Sequence, residues 1–395
     1  MSRNCNPTPV AIVIRFQYCD ATRGRMIPQL AYLKGSRSPD IRNVNVKTTN
    51  LLRAGVAALT ITTLVGVTQA KAETTQLVES GSSLLYPLFN LWVPAYAANH
   101  KDVAITTTST GSGAGIAQAI KGLINIGASD AYLSDALAKD HPNMLSIPLA
   151  ISSQAINYNL PGVKGLKLSG PVLAGIYEGK ITKWNDPAIA AENPGVKLPD
   201  HEIIPIHRLD GSGDTFLFSQ YLAASDENWS NTYHYSTSIS WPAVSGALGA
   251  KGNSGMLAAL KANPYSVAYI GISYAGDVAK DGLGQAALLN KAGNYVLPTA
   301  SSISAAAESV ADKTPADERI SMIFTPGAKA YPIVNYEYAI VNAEQPNKET
   351  AKVVRDFLNW ALTEGNNESF LKQVQFVPLP ANVVALSKAQ IEKIK

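Results

Sequence analysis

The sequence predicts an α/β fold of two lobes, joined by a hinge of two extended crossings, with a ligand cleft between the lobes. The chain has 395 residues, which is too many for one ordinary compact domain and suits two. Strand-like runs alternate with helical patterns along the chain, as in proteins built of α/β layers. Apolar residues make up 46% of the chain and charged residues 16%, the composition of a folded protein with a sizeable core.

Two Tyr-rich, extended stretches, 155–161 and 331–341, are flanked by Pro or Gly and predict the crossings between the lobes. If these stretches pair, the chain leaves the first lobe at one and returns at the other. We therefore expect residues 73–155 and 335–395 to form a discontinuous first lobe and residues 156–334 to form the second. Such paired crossings make a hinge, and the cleft beside it is where a ligand is expected.

Single elements follow the same alternation. Residues 103–108 are a β-branched run that predicts a strand, followed by a Gly-rich turn and a helix beginning near Ile116. Residues 267–270 predict another strand, which leads to a small helix. A C-terminal helix is predicted to begin at Asn347 and to end at Gly365. Its apolar face comprises Val353, Val354, Phe357, Leu358, Ala361 and Leu362.

The net charge of +3 is unevenly distributed along the chain. Residues 1–72 hold 10 of the 33 basic and 2 of the 30 acidic residues, which leaves 23 basic and 28 acidic residues from Glu73 onward, a net charge of −5. This balance excludes a basic protein that attracts nucleic acid. Both cysteines, Cys5 and Cys19, lie in the leading segment, so the rest of the chain has no disulfide, thiolate metal site or Cys nucleophile.

The leading segment, residues 1–72, predicts export. Residues 54–70 carry no charge, Lys47 and Arg53 precede them, and Ala70-Lys71-Ala72 follows. A basic flank, an apolar stretch and an A-x-A site indicate a secretory signal cleaved after Ala72. The alternative is a membrane anchor, for which the stretch is short and rich in Thr. The first 46 residues are unusual ahead of a signal, and translation from Met26 or a later start is an alternative.

Three Gly/Ser runs precede helical patterns, at residues 80–84, 110–115 and 210–214. A helix N-terminus presents unpaired backbone N–H groups and the positive end of the helix dipole, Gly allows close approach, and Ser adds a hydroxyl donor. Any one run alone is more simply explained as a helix cap or a turn. Together the three runs favour a shared anion site.

Asp130 and Arg208 complete this candidate site. Asp130 ends the apolar run 126–130, which indicates a buried strand running out into a cleft, and Arg208 lies two residues before Asp210. The simpler alternatives are a helix cap for Asp130 and a surface ion pair for Arg208.

Five segments of the sequence resemble the phosphate-binding subunit of the bacterial phosphate-specific ABC importer, in the same order. They read SGSSLLYPLFNLW, TGSGAGIAQAI, IGASDAYLS, GKITKWNDPAI and HRLDGSGDTFLF, and the similarity extends over residues 73–395. The resemblance implies a two-lobed periplasmic-binding-protein fold, a periplasmic location, inorganic phosphate as ligand and a membrane permease pair with its ATPase as partner. We expect a monomer that binds no nucleic acid, is not embedded in the membrane and has no cofactor, metal or catalytic residue.

The resemblance also assigns positions of this sequence to the phosphate. It implies that Ser82, Ser83 and Leu84 line the site, the latter two partly through backbone N–H groups, and that Asp210 orients the arginine. The other matching ligand positions are Ser112, Asp130, Arg208, Ser212, Gly213 and Asp214. Many family members carry Thr where this chain has Asp214.

Phosphate carries a proton at neutral pH and sulfate carries none, so a carboxylate such as Asp130 can distinguish them. The carboxylate accepts the phosphate proton in a charge-assisted hydrogen bond, whereas it meets only lone pairs on sulfate. A site built for such a bond can reject the analogue that lacks it by about 10⁴–10⁵-fold. Asp214 is a candidate second acceptor, and Arg208 offers a planar fork of donors to an oxyanion.

Three alternatives stay open on the sequence. A hydrolase or phosphatase has weak support, because residues 271–275 nearly fit the G-x-S-x-G elbow but end in Ala, and the five histidines show no metal-ligand spacing. Another tetrahedral oxyanion, sulfate or arsenate, is a second alternative, and two acidic residues among the matching positions argue against sulfate. A further role in adhesion or sensing is the third.

Overall fold

The structure, a computed structural model, describes residues 74–395. The predicted leader, residues 1–72 with cleavage after Ala72, lies outside the described residues. Within residues 74–395, no helix combines the length and the apolar character that a membrane crossing requires.

Strands and helices alternate along the described chain. The strands are β1 (Thr75–Gly81), β2 (Val103–Ser109), β3 (Ile126–Ser129), β4 (Met144–Asn159), β5 (Lys167–Leu168), β6 (Ile204–Arg208), β7 (Leu248–Ala250), β8 (Ser266–Gly271), β9 (Gly284–Gln285), β10 (Ala287–Leu289), β11 (Tyr295–Val296), β12 (Met322–Ile323) and β13 (Ile333–Asn342).

The α-helices are α1 (Tyr86–Asn99), α2 (Ser112–Ile120), α3 (Asp135–Asp140), α4 (Gly170–Tyr177), α5 (Pro187–Glu192), α6 (Gly213–Ser225), α7 (Glu227–Thr232), α8 (Gly252–Ala262), α9 (Ala275–Lys280), α10 (Ala300–Glu308), α11 (Lys348–Leu362), α12 (Glu368–Leu371) and α13 (Ala381–Ile391). Short 3₁₀ turns occupy Ile272–Tyr274, Ala311–Lys313 and Lys372–Val374. The mixed α/β class predicted from the sequence is confirmed.

The main sheet has the strand order β2-β1-β3-β13-β4-β8-β6-β7, with β12 paired to β13 and β9 to β4. β1 is parallel to β2 and β3, and β6 is parallel to β7 and β8. The carboxyl ends of parallel strands meet at one edge of a sheet, and this is where α/β proteins bind ligands. The three Gly/Ser runs follow β1, β2 and β6, so all three begin at such edges.

The strand β4 is the longest of the described chain and connects the two groups of parallel strands. Residues 144–153 pair antiparallel with β13, and residues 154–159 pair antiparallel with β8. The two crossings predicted at 155–161 and 331–341 therefore do not pair with each other. The pairing with β13 lies one segment earlier along β4, at residues 144–153, whereas residues 154–159 pair with β8 and residues 157–158 also with β9.

Two helices test the sequence predictions directly. The C-terminal helix is confirmed as α11, with Asn347 as its N-cap, whose side chain accepts the Thr350 N–H at 2.8 Å. All six predicted apolar residues are buried, and the helix ends at Leu362, three residues before the predicted end at Gly365. The helix predicted near Ile116 begins four residues earlier, at Ser112. Gly111 has a φ of +92°, which turns the chain sharply enough for the Gly/Ser run itself to form the first helical turn.

Candidate anion-binding site

The N-termini of α2 and α6 meet at the carboxyl edge of the sheet. The Gly113 N–H donates to the Gly211 carbonyl at 2.9 Å, which joins the second Gly/Ser run to the third. A side chain at Gly111 would meet Asp210 Oδ2 at 2.6 Å, so this close approach requires glycine. The first-turn N–H groups of both helices have no acceptor within their own helix, and helix N-termini of this kind bind anions.

Asp130 lies directly after β3 and is buried among these helix ends. Ser82 Oγ donates to Asp130 Oδ1, and the Asp130 backbone N–H donates to Ser112 Oγ at 3.2 Å. Ser82 Oγ also accepts the backbone N–H groups of Leu84 at 3.0 Å and Leu85 at 2.9 Å. Burial, followed by the charge of Asp214, raises the pKa of Asp130 to about 7.

Arg208, the last residue of β6, is 3% exposed and forms ion pairs with two carboxylates. Its Nε and Nη2 donate to the two oxygens of Asp210 at 2.8 and 2.5 Å, and its Nη1 donates to Asp214 Oδ2 at 2.6 Å. Burial raises the pKa of Asp210, but the hydrogen bonds and the charge of Arg208 outweigh it, and the pKa lies below its usual value. The Tyr269 hydroxyl accepts the Arg208 backbone N–H at 2.9 Å.

Asp214 is engaged by donors from three elements. Asn253 Nδ2 donates to its Oδ2 at 2.7 Å, in addition to Arg208, and Gln154 Nε2 donates to its Oδ1 at 3.2 Å. Burial raises the pKa of Asp214, although the charge of Arg208 opposes this rise. Because its oxygens already accept three hydrogen bonds, Asp214 serves in this arrangement as the counter-ion of Arg208.

Asn253, at the start of α8, joins Ser83 to this network. Its backbone N–H and its Nδ2 both lie 3.0 Å from Ser83 Oγ, and its Oδ1 accepts the Gly271 N–H at 2.8 Å. Ser83 is thereby linked through Asn253 to Asp214 and Arg208.

All of the residues assigned from the sequence lie in this one buried cluster, hereafter the anion cluster: Ser82, Ser83, Leu84, Ser112, Asp130, Arg208, Asp210, Ser212, Gly213 and Asp214. Ser212 is the N-cap of α6, and its Oγ accepts the Thr215 N–H at 3.2 Å. The two simpler alternatives are wrong. Asp130 caps no helix, since Ser134 caps α3, and the ion pairs of Arg208 are buried.

Three side chains of the network were missed at the sequence level: Gln154, Asn253 and Glu337. Asn253 lies in a further run with Gly and Ser, 251–255, that forms the N-terminus of α8 and carried the same kind of signal as the other three. Glu337 is the one charged residue of β13, a buried strand whose other residues are apolar, aromatic or Asn, and this is a signal in itself. Gln154 carries no local signal, because only its position on β4 brings it to Asp214.

Gly213 touches the carboxylate of Asp130, and this contact gives a prediction. A Cβ at position 213 would lie 2.4 Å from Asp130 Oδ2 and 2.5 Å from Ser112 Oγ. We expect Gly213→Ala to displace α6 from Asp130 and to weaken anion binding by at least about 100-fold, as a misplacement of about 1 Å does in preorganised sites. The matched control is Gly276→Ala in α9, where a Cβ meets no atom within 4 Å. Calorimetric titration of both variants tests this, and equal affinities would contradict the contact.

Within the described part of the chain, no group of three His, Cys, Asp or Glu side chains could hold a metal ion. The site's donors are backbone N–H groups, hydroxyls, amides and one guanidinium. This chemistry suits an oxyanion that itself carries a proton, because the carboxylates of the anion cluster outnumber its cation.

Comparisons with known proteins identify the family. A family model described as a PBP superfamily domain matches residues 67–364. The phosphate-binding protein PstS of Pasteurella multocida is 35% identical over 340 residues, which is 86% of this chain and 95% of that protein. This chain belongs to the PstS family of phosphate-binding proteins. The PstS of Haemophilus influenzae is similarly related, with 34% identity over 321 residues, 81% of this chain and 93% of that protein.

Solved structures related to this PstS-family chain share its fold. A periplasmic phosphate-binding protein, PfluDING, bound with phosphate at pH 8.5, superimposes with a TM-score of 0.65 at 22% identity, covering 80% of this chain and 93% of that one. A human phosphate-binding apolipoprotein gives a TM-score of 0.64 at 20% identity, covering 79% and 93%. The periplasmic-binding-protein fold expected from the resemblance is confirmed.

Proposed function

We propose that this chain binds inorganic phosphate, excludes sulfate and delivers phosphate to an inner-membrane ABC importer. The observation that carries the proposal is the buried anion cluster, in which the N-termini of α2 and α6 surround the carboxylate of Asp130. Family membership supports phosphate binding and transport. The proposed ligand contacts are the hydroxyls of Ser82, Ser83, Ser112 and Ser212, the backbone N–H groups at positions 83, 84, 213 and 214, the Arg208 guanidinium and the Asp130 carboxylate.

The charge balance of the anion cluster supports phosphate over sulfate. Three carboxylates, Asp130, Asp210 and Asp214, are set against Arg208, the one cation of the cluster in the described chain. A bare dianion in this dry environment would meet like charge at Asp130, at a cost that a low dielectric magnifies. One proton between Asp130 and the ligand removes this repulsion and makes a charge-assisted hydrogen bond. Phosphate brings that proton itself, whereas sulfate does not.

We also propose the lobe boundaries given above, with β4 and β13 as the connecting strands and hinge closure around the ligand. Cleavage after Ala72 would release the protein into the periplasm, where it acts as a monomer and docks on a permease pair with its ATPase.

An enzymatic role has less support. The one near-elbow serine, Ser273, donates its Oγ to the Leu84 carbonyl at 2.8 Å and lies on a 3₁₀ turn. Turnover of a generic phosphate ester would overturn a purely binding role.

The experiment is a calorimetric titration of protein begun at Glu73 with phosphate and with sulfate, across a pH series. We expect phosphate to bind stoichiometrically and sulfate to fail as a competitor above neutral pH. Sulfate binding requires a protonated Asp130. The affinity for sulfate should therefore be constant below pH 7 and should fall about tenfold per pH unit above the Asp130 pKa of about 7. Sulfate affinity that ignores pH would contradict the role of Asp130, and absence of phosphate binding would overturn the proposed function.

A further inference from the structure

A second carboxyl group, that of Glu337, lies beside Asp130 in the core of the sheet. The antiparallel pairing of β3 with β13 ends at Ser129 and Tyr338, so Asp130 and Glu337 are the next two residues that face each other. Side chains at such facing positions are in contact range, and like charges placed there repel. Both residues are fully buried, and the two carboxyl groups are within hydrogen-bonding reach.

The hydrogen bonds around Glu337 use only one of its oxygens. Ser152 Oγ and Asn335 Nδ2 both donate to Glu337 Oε1, the latter at 3.0 Å. Within residues 74–395, neither Glu337 Oε2 nor Asp130 Oδ2 has a hydrogen-bond donor when both carboxyl groups are ionised. A buried polar atom without a hydrogen bond is costly, and two of them together call for an explanation. One proton between the two oxygens satisfies both.

The surroundings decide which group carries this proton. Burial and the charge of Asp214 on α6 destabilise the anion of Asp130, but Ser82 donates to this carboxylate and the charge of Arg208 on β6 favours it. Glu337 faces the neutral Ser152 on β4 and Asn335 on its own strand, and no cation of the described chain pairs with it. Burial, followed by the charge of Asp130, raises the pKa of Glu337 well above its usual value.

We propose that Glu337 is a specificity-determining residue that stays protonated and donates its proton to Asp130 Oδ2, so that Asp130 remains a carboxylate able to accept the proton of the ligand. This inference rests on the proposed function and adds a positioning residue to it. Without the donor, a buried Asp130 would take a proton from solvent and become a donor itself. It would then suit sulfate as well as phosphate.

The test compares Glu337→Gln with Glu337→Met over the pH series of sulfate affinities. Gln keeps a neutral donor toward Asp130, so the pH above which sulfate affinity falls should stay within about half a unit of its value in the unmodified protein. Phosphate affinity should stay within about threefold. Met has no donor, so the charged form of Asp130 loses a hydrogen bond and that pH should rise by about one to two units. Glu318→Gln is the matched control, since Glu318 is another fully buried acid with a free oxygen in the described chain and a serine donor, Ser387.

Two other results would contradict the inference, each for a different reason. If Glu337 is ionised, Glu337→Gln removes a negative charge beside Asp130, and the pH above which sulfate affinity falls should decrease. If Glu337 does not reach Asp130, Glu337→Met should leave that pH unchanged. Either result overturns the inference, while the proposed function stands as long as the unmodified protein binds phosphate and excludes sulfate.

An infrared difference spectrum between the unmodified protein and Glu337→Gln needs no ligand and no Met variant. At neutral pH, this difference spectrum should show the carbonyl band of one protonated carboxylic acid, which the unmodified protein has and Glu337→Gln has lost. A carboxylate band in its place overturns the inference even if Glu337→Met fails to fold.

Discussion

Replacing Asp130 with Asn is expected to weaken phosphate binding by about 10–100-fold and to let sulfate compete. The replacement removes the acceptor of a charge-assisted hydrogen bond, which contributes about 1.5–3 kcal/mol, and every 1.4 kcal/mol is a factor of ten in affinity. Ser82 Oγ donates to Oδ1, so the Asn carbonyl oxygen takes that position and the amide nitrogen replaces Oδ2. An N–H donor then faces the ligand, where it suits an unprotonated oxygen of sulfate.

Calorimetry with both anions at pH 9 measures the effect of Asp130→Asn, because at that pH the unmodified protein should bind sulfate about 100-fold more weakly than below pH 7. Asp135→Asn is the control variant, since Asp135 is a fully exposed acid of α3 whose partner is Arg319. Unchanged phosphate affinity together with unchanged exclusion of sulfate would remove Asp130 from the proposed mechanism.

Replacing Arg208 with Met is expected to abolish anion binding and to lower the free energy of unfolding by about 3–5 kcal/mol. Arg208 is the counter-ion of two carboxylates, and Asp214 is as deeply buried as Arg208 itself. Removing one partner of a buried pair leaves the other charge uncompensated, and this penalty is much larger than the net contribution of the pair. Asp210 is less affected, because it is more exposed than Asp214 and keeps the hydrogen bond from the Gly252 N–H at 3.1 Å.

Urea denaturation at neutral pH measures the stability of Arg208→Met against two companions. The double variant Arg208→Met/Asp214→Asn removes both charges, and we expect it to regain at least about 2 kcal/mol while anion binding stays lost. Arg319→Met breaks ion pairs with Asp135 and Asp317, both largely exposed, and should cost about 1 kcal/mol or less. Equal destabilisation by the single and the double variant would show that the buried charge of Asp214 is not the cause.

The residues of the anion cluster could be found from the sequence because their signals are local. A Gly/Ser run before a helical pattern predicts exposed N–H groups wherever the chain later places it. The same reasoning identified Asp130 as the end of a buried strand. The role of Asp214 as a second acceptor stays a prediction, and the sequence did not indicate its hydrogen bonds with Gln154 and Asn253, which come from β4 and α8.

The two predicted crossings, 155–161 and 331–341, show that local sequence signals also do not identify the pairing partner of a strand. A Tyr-rich extended stretch identifies a strand, but its partner depends on register and on which other strand reaches the same edge. Residues 154–159 pair with β8, and residues 144–153 pair with β13. The start of α2 was placed four residues late because the positive φ of Gly111 is set by the close approach of Asp210 and Gly211, residues almost 100 positions away.

The sequence alone determined the α/β class, the elements with strong periodicity and the residue types that make an anion site, since these depend on short-range patterns of polarity and backbone freedom. Tertiary structure decided which side chains share protons and charges. Glu337 faces Asp130 only because β13 runs antiparallel to β3, and Asp214 accepts hydrogen bonds from Gln154 and Asn253 only because β4 and α8 reach it. Such contacts depend on distances across the fold, and electrostatic interactions in a dry core follow those distances rather than positions along the chain.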